Sequence, residues 1–250
     1  MITDEIAAES ENTKIILHHV DLSSLQSVRE FCARVIETEP KIDILIHNAG
    51  FAAFLRRDIS TDGIDYTMAA NHYGPFLMTM LLMDLLKKSA PSRIVNVGSK
   101  AHTLSFLDPN DPFSLNPVGS CWPISFFNYS NSKMATLLTS SEMARQLHGT
   151  GVTVNTLHPG AIDTEIWRNY PFLLRLPIHL SRMFLKNLTE GIQTTLYVAL
   201  STNLTNMSGA YFRDCKLGKP HKNAENVEWQ KLMFDESVKI IKLANNDQFV

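Results

Sequence analysis

Short apolar runs alternate along this chain with stretches of helical period. The runs are residues 14–20 (KIILHHV), 41–47 (KIDILIH), 93–97 (RIVNV) and 152–157 (VTVNTL). Asn48-Ala49-Gly50 breaks the second, and His158-Pro159-Gly160 ends the last. Between them, Ser23 or Ser24 can cap a helix to about Thr38, and helical period returns over 63–88, 129–147, 190–200 and 225–243. Residues 209–213 read as a further short strand, and 101–128, rich in Pro, Asn, Ser and aromatic residues, as a loop. Strand and helix in alternation predict a three-layer, doubly wound α/β fold with a mostly parallel sheet. A ligand then belongs at the carboxyl ends of the strands, where the turn residues gather.

With 250 residues the chain is long enough for one sizeable core, and we expect a single domain over 1–250. The formal net charge of −2 gives no electrostatic basis for binding nucleic acid. Cys32, Cys121 and Cys215 are odd in number and far apart. They read as free thiols, and no Cys/His spacing suggests a metal site. Asn128, Asn187, Asn203 and Asn206 open N-x-[ST] sequons, which matter only in a secretory lumen. The most apolar stretch, 171–185 (PFLLRLPIHLSRMFL), is interrupted by Arg175, Pro177 and Arg182. It reads first as an amphipathic lid or pocket wall, and second as a shallow membrane contact.

Tyr129 and Lys133 are spaced i, i+4, so a helix places both on one face. A free tyrosine has a pKa near ~10 and needs roughly 4 kcal/mol of differential stabilisation to reach ~7. An ammonium one turn away favours the phenolate, and a tyrosine so tuned can exchange a proton with an alcohol or carbonyl oxygen. Any helix can carry such a pair, and the surrounding residues narrow the reading. Ser99 follows the 93–97 strand, where it could also be a helix cap. Asn48, Ala49 and Gly50 follow the neighbouring strand and let backbone approach a ligand. Asn71 lies inside the helix after it, and Pro159, Gly160 and Thr164 follow the fourth strand. Each has an ordinary structural explanation alone; together they converge on one sheet edge.

Taken together these motifs resemble the short-chain dehydrogenase/reductase family, in its retinol dehydrogenase-like branch. Asn48-Ala49-Gly50 resembles the family's N-N-A-G with His47 in place of the first Asn, and Asn71-His72-Tyr73-Gly74 is similar to N-H-L-G. Residues 93–99, RIVNVGS, resemble R-I-V-N-V-S-S with Gly98 for the first Ser. Tyr129-Ser130-Asn131-Ser132-Lys133 matches Y-x-x-S-K, and His158-Pro159-Gly160 with Thr164 matches H-P-G-x-x-x-T. Residues 191–199 and 208–216 look like the branch's C-terminal part.

The resemblance implies a nicotinamide cofactor, NADP(H) in preference to NAD(H), and a hydrophobic alcohol or carbonyl substrate. A retinoid or other lipid aldehyde comes first and a steroid second. Tyr129 would be the general acid/base, and Lys133 would lower its pKa and hold the nicotinamide ribose. A positive nicotinamide ring would assist the phenolate. Ser99 would bond the substrate oxygen, and Asn71 would support a proton relay through water. Asp21 and Leu22 would face the adenine, Asn48, Ala49 and Gly50 its ribose, and Pro159, Gly160 and Thr164 the carboxamide.

One part of the pattern is missing. The family's cofactor domain opens with a strand, a glycine-rich turn and a helix, where backbone N–H groups meet the pyrophosphate. This chain has no glycine before Gly50. Residues 1–12 read as the end of the family's second helix, so the first two strands and first helix have no counterpart. Residues 14–20 and 41–47 then each expect a bare edge, which invites aggregation, and cofactor binding and folding are expected to be poor. Two accounts follow: a fragment or incomplete gene model of an active enzyme, or a shortened, non-catalytic isoform acting as a binding partner. An anchor of the retinol-type enzymes would sit upstream, which leaves open whether the protein faces the cytoplasm from the endoplasmic reticulum membrane.

Overall fold

The computed structural model describes residues 2–52, 58–117, 124–162 and 185–243. Among these, five strands form one sheet in the order β1 (Ile44–His47), β2 (Ser92–Val97), β3 (Val152–His158), β4 (Tyr211–Arg213) and β5 (Lys216–Leu217). The first four run parallel, and β5 returns antiparallel on β4. The helices are α1 (Ile2–Ser10), α2 (Leu25–Thr38), α3 (Tyr66–Met68), α4 (Gly74–Leu81), α5 (Met83–Lys88), α6 (Pro112–Leu115), α7 (Ile124–Gln146), α8 (Leu188–Leu200) and α9 (Val227–Leu243).

Strand side chains alternate between faces, so β1 to β4 feed two cores. Ile94 and Val154 point into the larger one with Leu25, Leu77, Leu138 and Met233 from the helices. Val95 and Leu157 point the other way, onto Val198 and Ala199 of α8 and Phe212 of β4. Every residue of β3 is buried, as a central parallel strand covered on both faces requires. This is the doubly wound α/β arrangement that the alternation predicts.

The α2 helix begins where the sequence places it. Ser24 is the N-cap, its side chain accepting from the Ser27 amide, and Asp62 accepts from the Leu25 amide at 2.8 Å. The run at 14–20 differs from expectation: it forms no strand, and Ile16 and Leu17 are 66% and 72% exposed. Strand propensity alone does not order a backbone that has no ladder to join. Among the described residues β1 likewise has no partner on its outer edge. A cavity of about 300 Å³ lies beside that edge, between Leu22 and Phe31 on one side and Leu45 and Met78 on the other.

The helix expected over 63–88 starts at Tyr66 and is not continuous. After α3 the chain widens into a π-helical turn, Ala69–Tyr73, where the Gly74 amide reaches back to the Ala69 carbonyl. Two residues account for this. Pro75 has no amide to offer the Asn71 carbonyl, which lies 3.4 Å from Thr136 Oγ1 and shares that hydroxyl's proton with the Ser132 carbonyl at 3.0 Å. Gly74 lies against the chain before α2: a Cβ there would sit 2.1 Å from the Leu22 carbonyl oxygen. Gly74→Ala must move backbone against backbone, and we expect a loss of about 3 kcal/mol or more. A thermal melt checks this; at roughly 2–4 °C per kcal/mol the midpoint should fall by about 10 °C. A fall of only about 2 °C would mean that the Leu22 carbonyl can give way.

The stretch 101–128 is likewise not wholly a loop. It contains a 3₁₀ turn at Lys100–Leu104, the short α6, and the first residues of α7, which begins at Ile124 and so puts Tyr129 in its second turn.

Candidate active site

Three elements deliver side chains to one place at the carboxyl edge of the sheet: the end of β2, the second and third turns of α7, and the π-helical turn. Ser99 stands one residue beyond Gly98, whose amide donates to the Leu157 carbonyl at 2.7 Å. A Cβ at Gly98 would lie 2.9 Å from that same oxygen, so glycine is what lets β2 close on β3 immediately before the serine. Ser99 also caps the 3₁₀ turn, its Oγ accepting from the Ala101 amide at 3.2 Å.

The Tyr129 hydroxyl hydrogen-bonds Ser99. Lys133 Nζ lies 5.6 Å from the centre of the Tyr129 ring and donates to the Val97 carbonyl at 2.9 Å. Ser99, Tyr129 and Lys133 are thus brought together. The expected lowering of the Tyr129 pKa by Lys133 is not seen: burial raises it, with the Ser99 hydrogen bond opposing, while burial pulls Lys133 down to about 8. A lysine at that value is still mostly protonated at neutral pH.

Asn71 is a brace in this arrangement. Its side-chain oxygen accepts from the Phe51 amide at 2.7 Å, and its N–H groups donate to the Phe51 carbonyl at 2.8 Å and Ser132 Oγ at 3.1 Å. Ser132 Oγ in turn donates to the Tyr129 carbonyl at 2.8 Å. Both amide N–H groups of Asn71 are therefore committed within the protein, which ties residue 51 to the helix carrying Tyr129.

Four histidines around the site have forced proton positions. The Thr79 hydroxyl donates to the Pro75 carbonyl at 3.0 Å, so His47 Nε2 must donate to Thr79 at 2.7 Å. The Ser237 hydroxyl donates to the Met233 carbonyl, so His72 Nε2 donates to Ser237 at 2.8 Å. His102 donates from Nδ1 to the Ser99 carbonyl at 2.6 Å and accepts at Nε2 from the His221 amide at 3.1 Å. His158 Nδ1 accepts from the Lys100 amide at 3.2 Å. Burial, then the Arg213 and Lys186 cations outweighing Asp214, hold His158 near 4, neutral and able to accept. Two neutral imidazoles therefore fix the backbone on either side of the serine's neighbours. No local pattern marks His102, since its partner is 119 residues away.

The remaining expected residues fall around this centre. Asn48, Ala49 and Gly50 are exposed beyond β1, and a Cβ at Gly50 would lie 3.5 Å from Lys133 Nζ. Leu22, Asn48 and Ala49 line the cavity beside β1. Asp21 is exposed and its carboxylate accepts from the Ser23 amide and hydroxyl at 2.9 and 2.6 Å. Pro159 and Gly160 form a half-buried turn after β3, Gly160 with φ +106°. Thr164 and nearly all of 171–185 lie outside the described residues.

Residues 2–107 and 118–171 match the model of the short chain dehydrogenase family. The chain belongs to the short-chain dehydrogenase family. Its relatives include retinol dehydrogenase 12 of Mus musculus, 38% identical over 95% of this chain and 73% of that protein. Retinol dehydrogenase 14 of Homo sapiens is 42% identical over 81% of this chain, and the matched part is 60% of that protein. These place the short-chain dehydrogenase in the retinol dehydrogenase-like branch. Among solved structures, the Pseudomonas aeruginosa RhlG/NADP active-site complex is similar with a TM-score of 0.63. It is 24% identical, over 84% of this chain and 79% of that one, which supports the shared fold.

The short-chain dehydrogenase's residues suit one end of a nicotinamide cofactor better than its middle. Lys133 Nζ, within reach of the open space at Gly50, suits a ribose hydroxyl. The exposed turn at 48–50 and the apolar cavity beside it suit a flat base and its sugar. No glycine precedes Gly50 among these 250 residues, so none of them supplies a glycine-rich cradle for the pyrophosphate.

Proposed function

We propose that the chain carries the catalytic residues of an oxidoreductase that interconverts a hydroxyl and a carbonyl on a hydrophobic substrate, with NADP(H) favoured over NAD(H). A retinoid or other lipid aldehyde is the substrate class, since the chain's relatives include retinol dehydrogenases. The observation that carries this reading is the Tyr129 hydroxyl bonded to Ser99 above a buried Lys133, at the carboxyl edge of a parallel sheet. Apolar side chains at the same edge fit such a substrate: Leu104 and Phe106 are exposed, and Phe106 meets Phe127 edge-on at 4.7 Å between ring centres.

When bound, the nicotinamide supplies or accepts the hydride. The protein's part is to orient and to handle the proton. Ser99 Oγ donates to the substrate oxygen and steadies charge that builds there. Tyr129 gives its phenolic proton to the forming alkoxide in reduction, or takes the alcohol proton in oxidation. Lys133, positive and desolvated, offsets the phenolate that remains. Asn71 and Ser132 hold Tyr129's helix to residue 51.

The non-catalytic reading draws on a different observation, the outer edge of β1, unpaired among the described residues, beside an apolar cavity. One experiment separates the two. The purified chain is titrated with NADPH and NADH by fluorescence, then assayed for reduction of all-trans-retinal. Saturable binding with turnover supports the enzyme; a folded chain that binds neither nucleotide overturns it in favour of the binding protein.

A further inference from the structure

Lys186 lies outside the catalytic centre, yet it meets residues 159–162 through its backbone, its ammonium and its stem. Its backbone amide donates to the Ala161 carbonyl at 2.8 Å, and it pairs in a β-bridge with Ile162. Its ammonium lies 3.5 Å from the Pro159 carbonyl oxygen. Its stem covers the open face of Gly160: a Cβ there would meet Lys186 Cδ at 2.7 Å and Cε at 2.9 Å. The far end of the side chain is held in turn. Lys186 Nζ donates to Asp214 Oδ1 at 2.6 Å, and the other carboxylate oxygen accepts from Arg213 Nε at 3.1 Å. Asp214 sits in the β4–β5 hairpin with φ +51°, so the anchor point is set by a tight turn at the sheet's edge.

We propose that Lys186 is a positioning residue: latched to Asp214, it holds the Pro159–Gly160 turn in the shape that receives the nicotinamide end of the cofactor. This rests on the function proposed above. The pair is about one-third to one-half exposed, so its direct contribution to global stability is small. What it does is local. Gly160 is free to leave its left-handed conformation, and among the described residues the atoms nearest its open face are those of the Lys186 stem.

The test uses Lys186→Met, which keeps the stem and loses the charge, Lys186→Arg, which can still reach the carboxylate, and Asp214→Asn. Asparagine tolerates a positive φ, so the last change removes charge without straining the hairpin. Hydrogen exchange of the peptide covering 158–162 and of the Lys186 amide is measured first, with no cofactor required. Exchange should quicken about tenfold in Lys186→Met and Asp214→Asn, return in Lys186→Arg, and stay unchanged in β2 and over residues 152–157 of β3. Dissociation constants are then measured for NADPH and for its fragment lacking nicotinamide, 2′-phospho-ADP-ribose. NADPH should weaken about tenfold in the two charge-loss variants while the fragment is unaffected. A purely structural role would lower the melting point and weaken both ligands alike, which overturns the proposal. Unchanged exchange at 158–162 also overturns it. If wild type binds neither ligand, the oxidoreductase reading fails, and the exchange data still decide whether the latch exists.

Discussion

Replacing Tyr129 by Phe should cut turnover roughly 10³-fold while leaving the fold and nucleotide binding in place. The change deletes one oxygen and keeps the ring. The Tyr129 backbone carbonyl still accepts from Ser132, and Asn71 still bonds Ser132, so α7 stays tied to residue 51. What disappears is the proton donor beside Ser99. General acid–base catalysis by a positioned side chain contributes about 10²–10⁴-fold, and no neighbour can replace the phenol. Ser99 has a far higher intrinsic pKa, and Lys133 Nζ points at the Val97 carbonyl. We expect kcat for retinal reduction to fall by roughly 10³-fold with the nucleotide dissociation constant within about twofold of wild type. Single-turnover kinetics and fluorescence titration measure the two. If turnover survives in the Phe variant, the phenol is not the acid, whatever its position.

How far this site could be read from sequence depends on the reach of each interaction. Ser99, Asn48 and Gly160 were legible because each follows an apolar run, and a parallel sheet collects such positions at one edge. Tyr129 and Lys133 were legible because i, i+4 spacing is local geometry. The π turn at Ala69–Tyr73 was only half so: Pro75 is local, but the Leu22 carbonyl that leaves no room for a Cβ at Gly74 comes from another segment. The run at 14–20 misled for the opposite reason: its composition is that of a strand, and a strand also needs a partner. The Lys186–Asp214 latch and the His102–His221 contact bridge 28 and 119 residues and leave no periodic trace. Gly98, which looks like a departure from the family's motif, is explained only by the close approach of β3.

Lys133→Met should separate stability from activity, and in opposite directions. Burial lowers the Lys133 pKa from 10.5 to about 8, so the folded protein holds this proton less firmly than the unfolded chain does. A depressed lysine pKa is a cost to folding that grows as pH falls from about 10.5 to 8 and is fully present below that. At ~1.36 kcal/mol per unit it is roughly 3 kcal/mol at neutral pH. Methionine fills nearly the same volume without charge and removes that cost. Against this, the Val97 carbonyl loses its donor, a penalty of about 1–3 kcal/mol. The balance is a melting point equal to wild type or a few degrees higher at pH 7, with the advantage gone near pH 10.5. Activity moves the other way, because the only cation beneath the Tyr129 ring among the described residues is removed, and kcat should drop by about 10²-fold or more. The same measurement asks why a short-chain dehydrogenase would bury an ammonium at all. A variant both clearly less stable and fully active would mean that Lys133 is an ordinary structural contact, and that the charge under the tyrosine has no part in the chemistry.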